Sequence, residues 1–177
     1  MHRFRDVIIF NHRDKPPCRL HEAGDNAIPS NLENLPTIKE PIMTSITETK
    51  RVLFIGQSPE TVDFSDPALP PGFDAAKIHA GIAIGMQLMA DRGWAADLCL
   101  VQPDASAADA VKQRLADVSY DAVVIGGGLR IPPKSLLLFE QLVNAVHQGA
   151  PCAAIAFNTT PQDTADAAAR WIDGLRN

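Results

Sequence analysis

The chain is poor in the residues that announce a chemistry outright. Three cysteines, Cys18, Cys99 and Cys152, stand among 177 residues. They are an odd number without metal-like spacing, so no zinc site is read from them. Cys99 and Cys152 fall in strand-like stretches, which predicts reduced, buried thiols in a cytoplasmic protein. No apolar run approaches the roughly 18 residues of a membrane span, and Val7-Ile8-Ile9-Phe10 is too short for the core of a signal peptide. Basic residues are also scarce, with 16 Lys and Arg against 21 Asp and Glu. From Thr44 onward the balance is 10 against 15, while residues 1–43 carry 6 of each. Phosphate backbones are held by clustered Lys and Arg, so this acidic chain is not expected to bind nucleic acid.

Catalytic signatures are missing as well. No G-x-G-x-x-G follows the first apolar run, which removes the dinucleotide fingerprint, and no G-x-x-x-x-G-K-[ST] supports P-loop nucleotide hydrolysis. Without a G-x-S-x-G elbow, and with neither Cys99 nor Cys152 at a strand-to-helix turn, covalent acyl chemistry lacks a nucleophile. No motif names a cofactor.

What is present is a set of short apolar runs ending in small or turn-prone residues: Val52-Leu53-Phe54-Ile55-Gly56, Val123-Val124-Ile125-Gly126-Gly127-Gly128 and Ala153-Ala154-Ile155-Ala156-Phe157-Asn158. Helical patterns separate them, so they read as buried parallel strands. Strands are expected near 51–55, 96–101, 121–126 and 152–157. Helices are expected over about 74–93, 106–118, 133–148 and 161–175. Asp74 is the predicted N-cap of the first, and Ile78, Ile82, Gly85 and Met89 share one of its faces. In the second helix Ala107, Val111, Leu115 and Val118 face the sheet. Four βα units joined by short connections predict an α/β fold: a three-layer sandwich around a parallel sheet of about four strands in the order 2-1-3-4. The order reverses between strands 1 and 3, so the loops after them flank the default binding crevice.

Residues 1–43 have no sustained period, and Pro, Asn and charge interrupt each apolar group. They are expected to be a disordered arm, or an extension preceding a true start at Met43, with one domain over 44–177. His2, His12 and His21 with Cys18 have no compact ligand spacing, so they read as incidental polar residues and no metal site is assigned.

Candidate ligand-binding residues cluster at the expected C-terminal edge of the sheet. Gly56, Gln57 and Ser58 open an unusually long, proline-rich loop to Phe73, which is expected to fold back over strands 1 and 3 and bury Phe64 or Leu69. Within it, Asp63 and Asp66 suit either a cation or the capping of local turns, the latter being preferred. Gly126, Gly127 and Gly128 let backbone N–H groups approach an anion, and Arg130 offers a bidentate fork for carboxylate or phosphate. The competing reading has Arg130 neutralised by Glu60, Asp63 or Asp66. Asn158 and Thr159 lie before a helix start that favours anions, although plain capping by Thr159 or Thr160 suffices. His79 lies in the first turns of the first helix, where it serves either as a neutral base or, more ordinarily, as a surface residue. Glu140, Asn144 and His147 share a face of the third helix that reads as its solvated side. No catalytic residue is assigned.

The architecture resembles bacterial receiver domains and flavodoxins, but not at the residues that matter. Receivers carry acidic residues after strand 1 and a phosphoryl-accepting Asp after strand 3, where this chain has Gly56-Gln57 and Gly126-Gly127. Flavodoxins run a hydroxyl-rich phosphate loop straight into helix 1, whereas Ser58 and Thr61 here precede a proline-rich insert. Across about 51–171 the chain resembles a family of small bacterial Rossmann-like proteins, at Glu60-Thr61-Val62-Asp63-Phe64-Ser65-Asp66-Pro67, at Val124-Ile125-Gly126-Gly127-Gly128-Leu129-Arg130 and at Phe157-Asn158-Thr159. That resemblance implies the fold and carries no activity with it. Two functions are therefore expected in competition. One is binding of a small anion at the sheet edge. The other is a degenerate receiver-like module that contacts a protein partner or a second copy, through a small-residue surface of Ala165, Ala167, Ala168 and Ala169 with Trp171.

Overall fold

The structure, a computed structural model, describes residues 49–66, 69 and 71–173. Contacts divide the chain into Met1–Asn34 and Leu35–Asn177, and every described residue belongs to the second unit. The expectations for residues 1–43, including the His2, His12, His21 and Cys18 group, fall outside the described residues.

Four parallel strands form one sheet: β1 (Arg51–Gln57), β2 (Ala95–Val101), β3 (Ala122–Ile125) and β4 (Ala154–Phe157). Their order is β2-β1-β3-β4, as the crossover rules predict. Register pairs Phe54 of β1 with Leu98 and with Val124, and Val124 with Ala156. Among the described residues the strands are connected and covered by the α-helices α1 (Ala75–Asp91), α2 (Ala107–Asp117), the single turn α3 (Gly127–Arg130), α4 (Leu136–Gly149) and α5 (Thr164–Ile172).

Alternation along the strands builds two cores. Leu53, Ile55, Val123 and Ile125 face α2 and α4, where Val111, Leu115, Leu142 and Val146 are fully or nearly fully buried. Val52, Phe54, Val124 and Ala156 face Ile82 and Met89 of α1 and three alanines of α5. Each fully buried aliphatic side chain contributes on the order of 1.5–3 kcal/mol, so the two layers supply the main folding drive. The helix faces follow the predicted periodicity. Asp74 caps α1 by accepting from the Lys77 N–H at 2.8 Å.

The alanines of α5 are placed otherwise than expected. Ala165, Ala167 and Ala168 are completely buried, so the small-residue contact surface does not exist. Small side chains there let α5 lie close to the sheet. A related economy brings α1 onto the turn before α5, where a methyl added to Gly85 would collide with the Pro161 carbonyl oxygen. Cys99 is a buried free thiol. Cys152 departs from expectation, because β4 starts two residues later and leaves it exposed in the preceding turn.

The N-terminal ends of the strands are joined by a polar lattice. Lys50 pairs with Asp121 at 3.1 Å, and the Asp121 carboxylate also accepts from the Arg51 N–H at 2.8 Å. Asp97 lies 3.6 Å from the Arg51 guanidinium and accepts from the Tyr120 hydroxyl at 3.0 Å. Burial and the adjacent Asp97 carboxylate push the Tyr120 phenol up to about 12. Among the described residues, no helix is long and apolar enough to cross a membrane.

Candidate functional site

The sheet delivers the predicted site residues to the ends of β1, β3 and β4, where the intervening loops have largely bonded to themselves. Gly56 lies inside β1 and is buried. Gln57 ends that strand and donates from Nε2 to the carbonyl and hydroxyl of Thr61 at 3.1 and 3.2 Å. The Ser58 N–H is used by the Val101 carbonyl at 2.9 Å, and its hydroxyl donates to Glu60 at 2.8 Å. His79 Nε2 lies 2.7 Å from the other Glu60 oxygen, fastening this turn to α1. Hydrogen bonds from His79 and then Ser58 hold the Glu60 carboxyl down to about 2. His79 is thus an exposed latch on Glu60 rather than an isolated base in a crevice.

Asp63 caps a local turn, accepting from the N–H and hydroxyl of Ser65 at 3.1 and 2.6 Å. Those two bonds, with Lys134 nearby, lower its pKa. Lys134 follows β3, so the loops after β1 and β3 do stand side by side. Asp66 continues the turn, its N–H bonded to the Asp63 carbonyl at 3.2 Å. The expected burial in this loop is met only in part: Phe64 is 38% exposed, while Leu69 is half-buried. The reason is local, since the turn closed by Asp63 and Ser65 holds Phe64 at an exposed position. Pro67, Ala68 and Pro70 lie outside the described residues.

The triple glycine enters a tight helical turn. Gly126 caps the single turn α3. Its N–H goes to the Ile55 carbonyl at 2.8 Å, and that of Gly127 to Asn158 Oδ1 at 2.9 Å. A Cβ on Gly127 would stand 2.8 Å from the Thr159 carbonyl oxygen. Glycine is therefore needed for close backbone approach. Gly128 is exposed and faces the Gln57 side chain.

Asn158 is the organiser of this edge. It is 1% exposed and also donates from Nδ2 to the Thr164 hydroxyl at 2.8 Å, so one side chain joins the starts of α3 and α5 at the end of β4. The anion-favouring helix start beyond it is already occupied. Asp163 accepts from the Thr159 N–H at 3.1 Å and the Thr160 N–H at 3.2 Å, completing a capping box with Thr160. Thr160 is therefore the cap, one of the two residues the simpler reading offered, and Thr159 gives its N–H and hydroxyl to Asp163. The sequence analysis missed Asp163, although the Thr160-x-x-Asp163 spacing is its signal.

Arg130 is the residue this edge leaves over. It is half-buried, donates from Nη2 to the Asn158 carbonyl at 3.0 Å, and places Cζ 5.8 Å from the centre of the Phe157 ring. Its buried Nε has no hydrogen-bond partner. None of Glu60, Asp63 or Asp66 neutralises it, and no carboxylate among the described residues pairs with it. The sequence also missed Phe157 as its ring partner.

No group of three or more His, Cys, Asp or Glu side chains gathers among the described residues as a metal cluster would. An open groove of about 440 Å³, lined by residues including Asp109, Lys112, Leu137 and Glu140, lies between α2 and α4 rather than in the expected β1/β3 crevice. Glu140, Asn144 and His147 are all exposed along α4. Comparison with protein families, curated proteins and solved structures returned no match to this chain.

Proposed function

We propose that this α/β domain binds a small anionic molecule at the C-terminal edge of the sheet, with Arg130 as its charge contact. One observation carries the reading: in an acidic protein, a guanidinium at the strand ends is fixed by a carbonyl and a ring yet paired with no carboxylate among the described residues. A cation held in place before the ligand arrives loses little side-chain entropy on binding. Gln57 and Gly128 stand beside each other at this edge as further contacts. Gly127, Asn158 and Thr159 hold the frame.

Thermal-shift measurements with nucleotides, sugar phosphates and carboxylates test the proposal. At least one class should stabilise the natural protein more than Arg130→Ala. Equal responses across every class would remove the reading.

A second reading, a protein-contact module without catalysis, is favoured by Trp171, Leu136 and Leu137, which are 51%, 61% and 67% exposed. Pull-down with and without Trp171→Ala separates it from the first, since Trp171 is not a core residue. A partner retained equally by both proteins would discount the α5 surface.

A further inference from the structure

We infer that the anion taken at Arg130 is a monocarboxylate with an apolar tail, rather than a phosphate ester. The inference rests on the Arg130 reading above and narrows it to a ligand class.

Phosphate recognition at a sheet edge draws on backbone N–H groups left free where strands turn into helices. Here several of those groups are already bonded after three strands. After β1 the Ser58 N–H is bonded to Val101; after β3 the Gly126 and Gly127 N–H groups are bonded to Ile55 and Asn158. After β4 those of Thr159 and Thr160 are bonded to the Asp163 carboxylate, which already brings a negative charge to that helix start. A tetrahedral dianion would find few N–H groups beyond that of Gly128, and the other guanidinium at this edge, Arg170, is turned to the Phe157 carbonyl at 2.9 Å. One planar guanidinium suits one planar carboxylate.

The flanks of Arg130 supply the second half. Phe157 is 37% exposed and lies against the guanidinium. Ile131 is 59% exposed, and its Cδ1 would be 3.1 Å from a Cβ on Gly127, so it sits over the turn that Asn158 fastens. Covering these two side chains with a ligand tail would remove exposed apolar surface beside a charge contact. A cation flanked by apolar surface is the complement of an amphiphilic monoanion.

Calorimetric titration of the full chain with octanoate, octyl phosphate, acetate and octanol, all below micellar concentrations, tests this. Octanoate should bind at least tenfold more tightly than each of the other three. Arg130→Gln should weaken octanoate at least tenfold. Arg130→Lys, which keeps the charge and loses the fork, should abolish the preference for octanoate over octyl phosphate. Ile131→Ser should weaken octanoate severalfold and leave acetate unchanged. Octyl phosphate binding as tightly as octanoate, with both lost in Arg130→Gln, would overturn the carboxylate assignment and leave the anion site standing. Octanol binding as tightly as octanoate would overturn the assignment, by reducing the site to an apolar patch. If neither anion distinguishes the natural protein from Arg130→Gln, the inference and the reading beneath it both fall.

Discussion

The two ends of the sheet treat charge in opposite ways. At the N-terminal ends Lys50 meets Asp121, Arg51 meets Asp97, and Tyr120 adds its hydroxyl to the same carboxylate. At the C-terminal ends the neutral Asn158 and the carboxylate of Asp163 satisfy backbone N–H groups, while Arg130 keeps only a carbonyl and a ring. The first end sets its charges against one another. The second uses several backbone donors to hold loops still, and among the described residues its guanidiniums, Arg130 and Arg170, meet carbonyls rather than carboxylates. Structural and functional demands thus separate along the strands, as expected where ligands meet the carboxyl ends of a parallel sheet.

Breaking the C-terminal frame should have the largest effect. Asn158→Ala leaves the Gly127 N–H and the Thr164 hydroxyl without their Asn158 partner. Each orphaned buried group costs on the order of 1–3 kcal/mol, so a total loss of about 2–4 kcal/mol is expected in urea unfolding. A loss below about 0.5 kcal/mol would mean that Asn158 does not organise this edge.

The next contrast lies within α1. An alanine at Gly85 meets the backbone oxygen of Pro161, whereas one at Gly81 meets only the movable end of Gln162. Gly85→Ala should destabilise by about 1–3 kcal/mol. Gly81→Ala should come out near neutral, since alanine's roughly 1 kcal/mol helix advantage offsets a side-chain shift. Equal effects at both positions would show that the α1 seam is not set by the Pro161 carbonyl.

The smallest effect belongs to the N-terminal end and shows itself in pH. Tyr120 is raised to about 12 in the folded protein against 10.0 for the free phenol. A folded-state pKa above the unfolded one favours the protonated phenol in the native protein. Its contribution is complete below about pH 10 and disappears as pH rises towards 12. Tyr120→Phe should lower neutral-pH stability by about 1 kcal/mol, the usual worth of a lost hydrogen bond. It should also remove that part of the alkaline loss. An unchanged alkaline limb would show that the Tyr120–Asp97 bond does not govern it.

The fold was legible because its information is periodic. Alternation in Val52–Ile55 assigns side chains to two faces, and the i, i+4 spacing of Val111 and Leu115 finds the covering helix face. The frame of the site is held by single contacts between distant residues, and these leave no period. Nothing around Gly127 reveals that Asn158 will take its N–H, and one turn of helix at Gly127–Arg130 is too short to pattern. Alanines in α5 were ambiguous in a different way, because small residues suit both an exposed contact and a close-packed core. Only the tertiary approach of α5 to β3 and β4 decides between them. Asp163 was legible through its spacing from Thr160, and reading it would have shown in advance that the last helix start is not open to a ligand.

The seam between Gly85 and Pro161 also bears on how the chain acquires its structure. It ties the first helix to the turn that precedes the last, on one face of the sheet but with three strands between them in the chain. Helix α1 leaves the ribosome well before the turn and helix it rests on. Contacts between such distant positions reward folding only after the entropy of closing the loop has been met. The domain should therefore gain its order in one cooperative step, and a nascent chain ending before β4 should hold α1 only loosely.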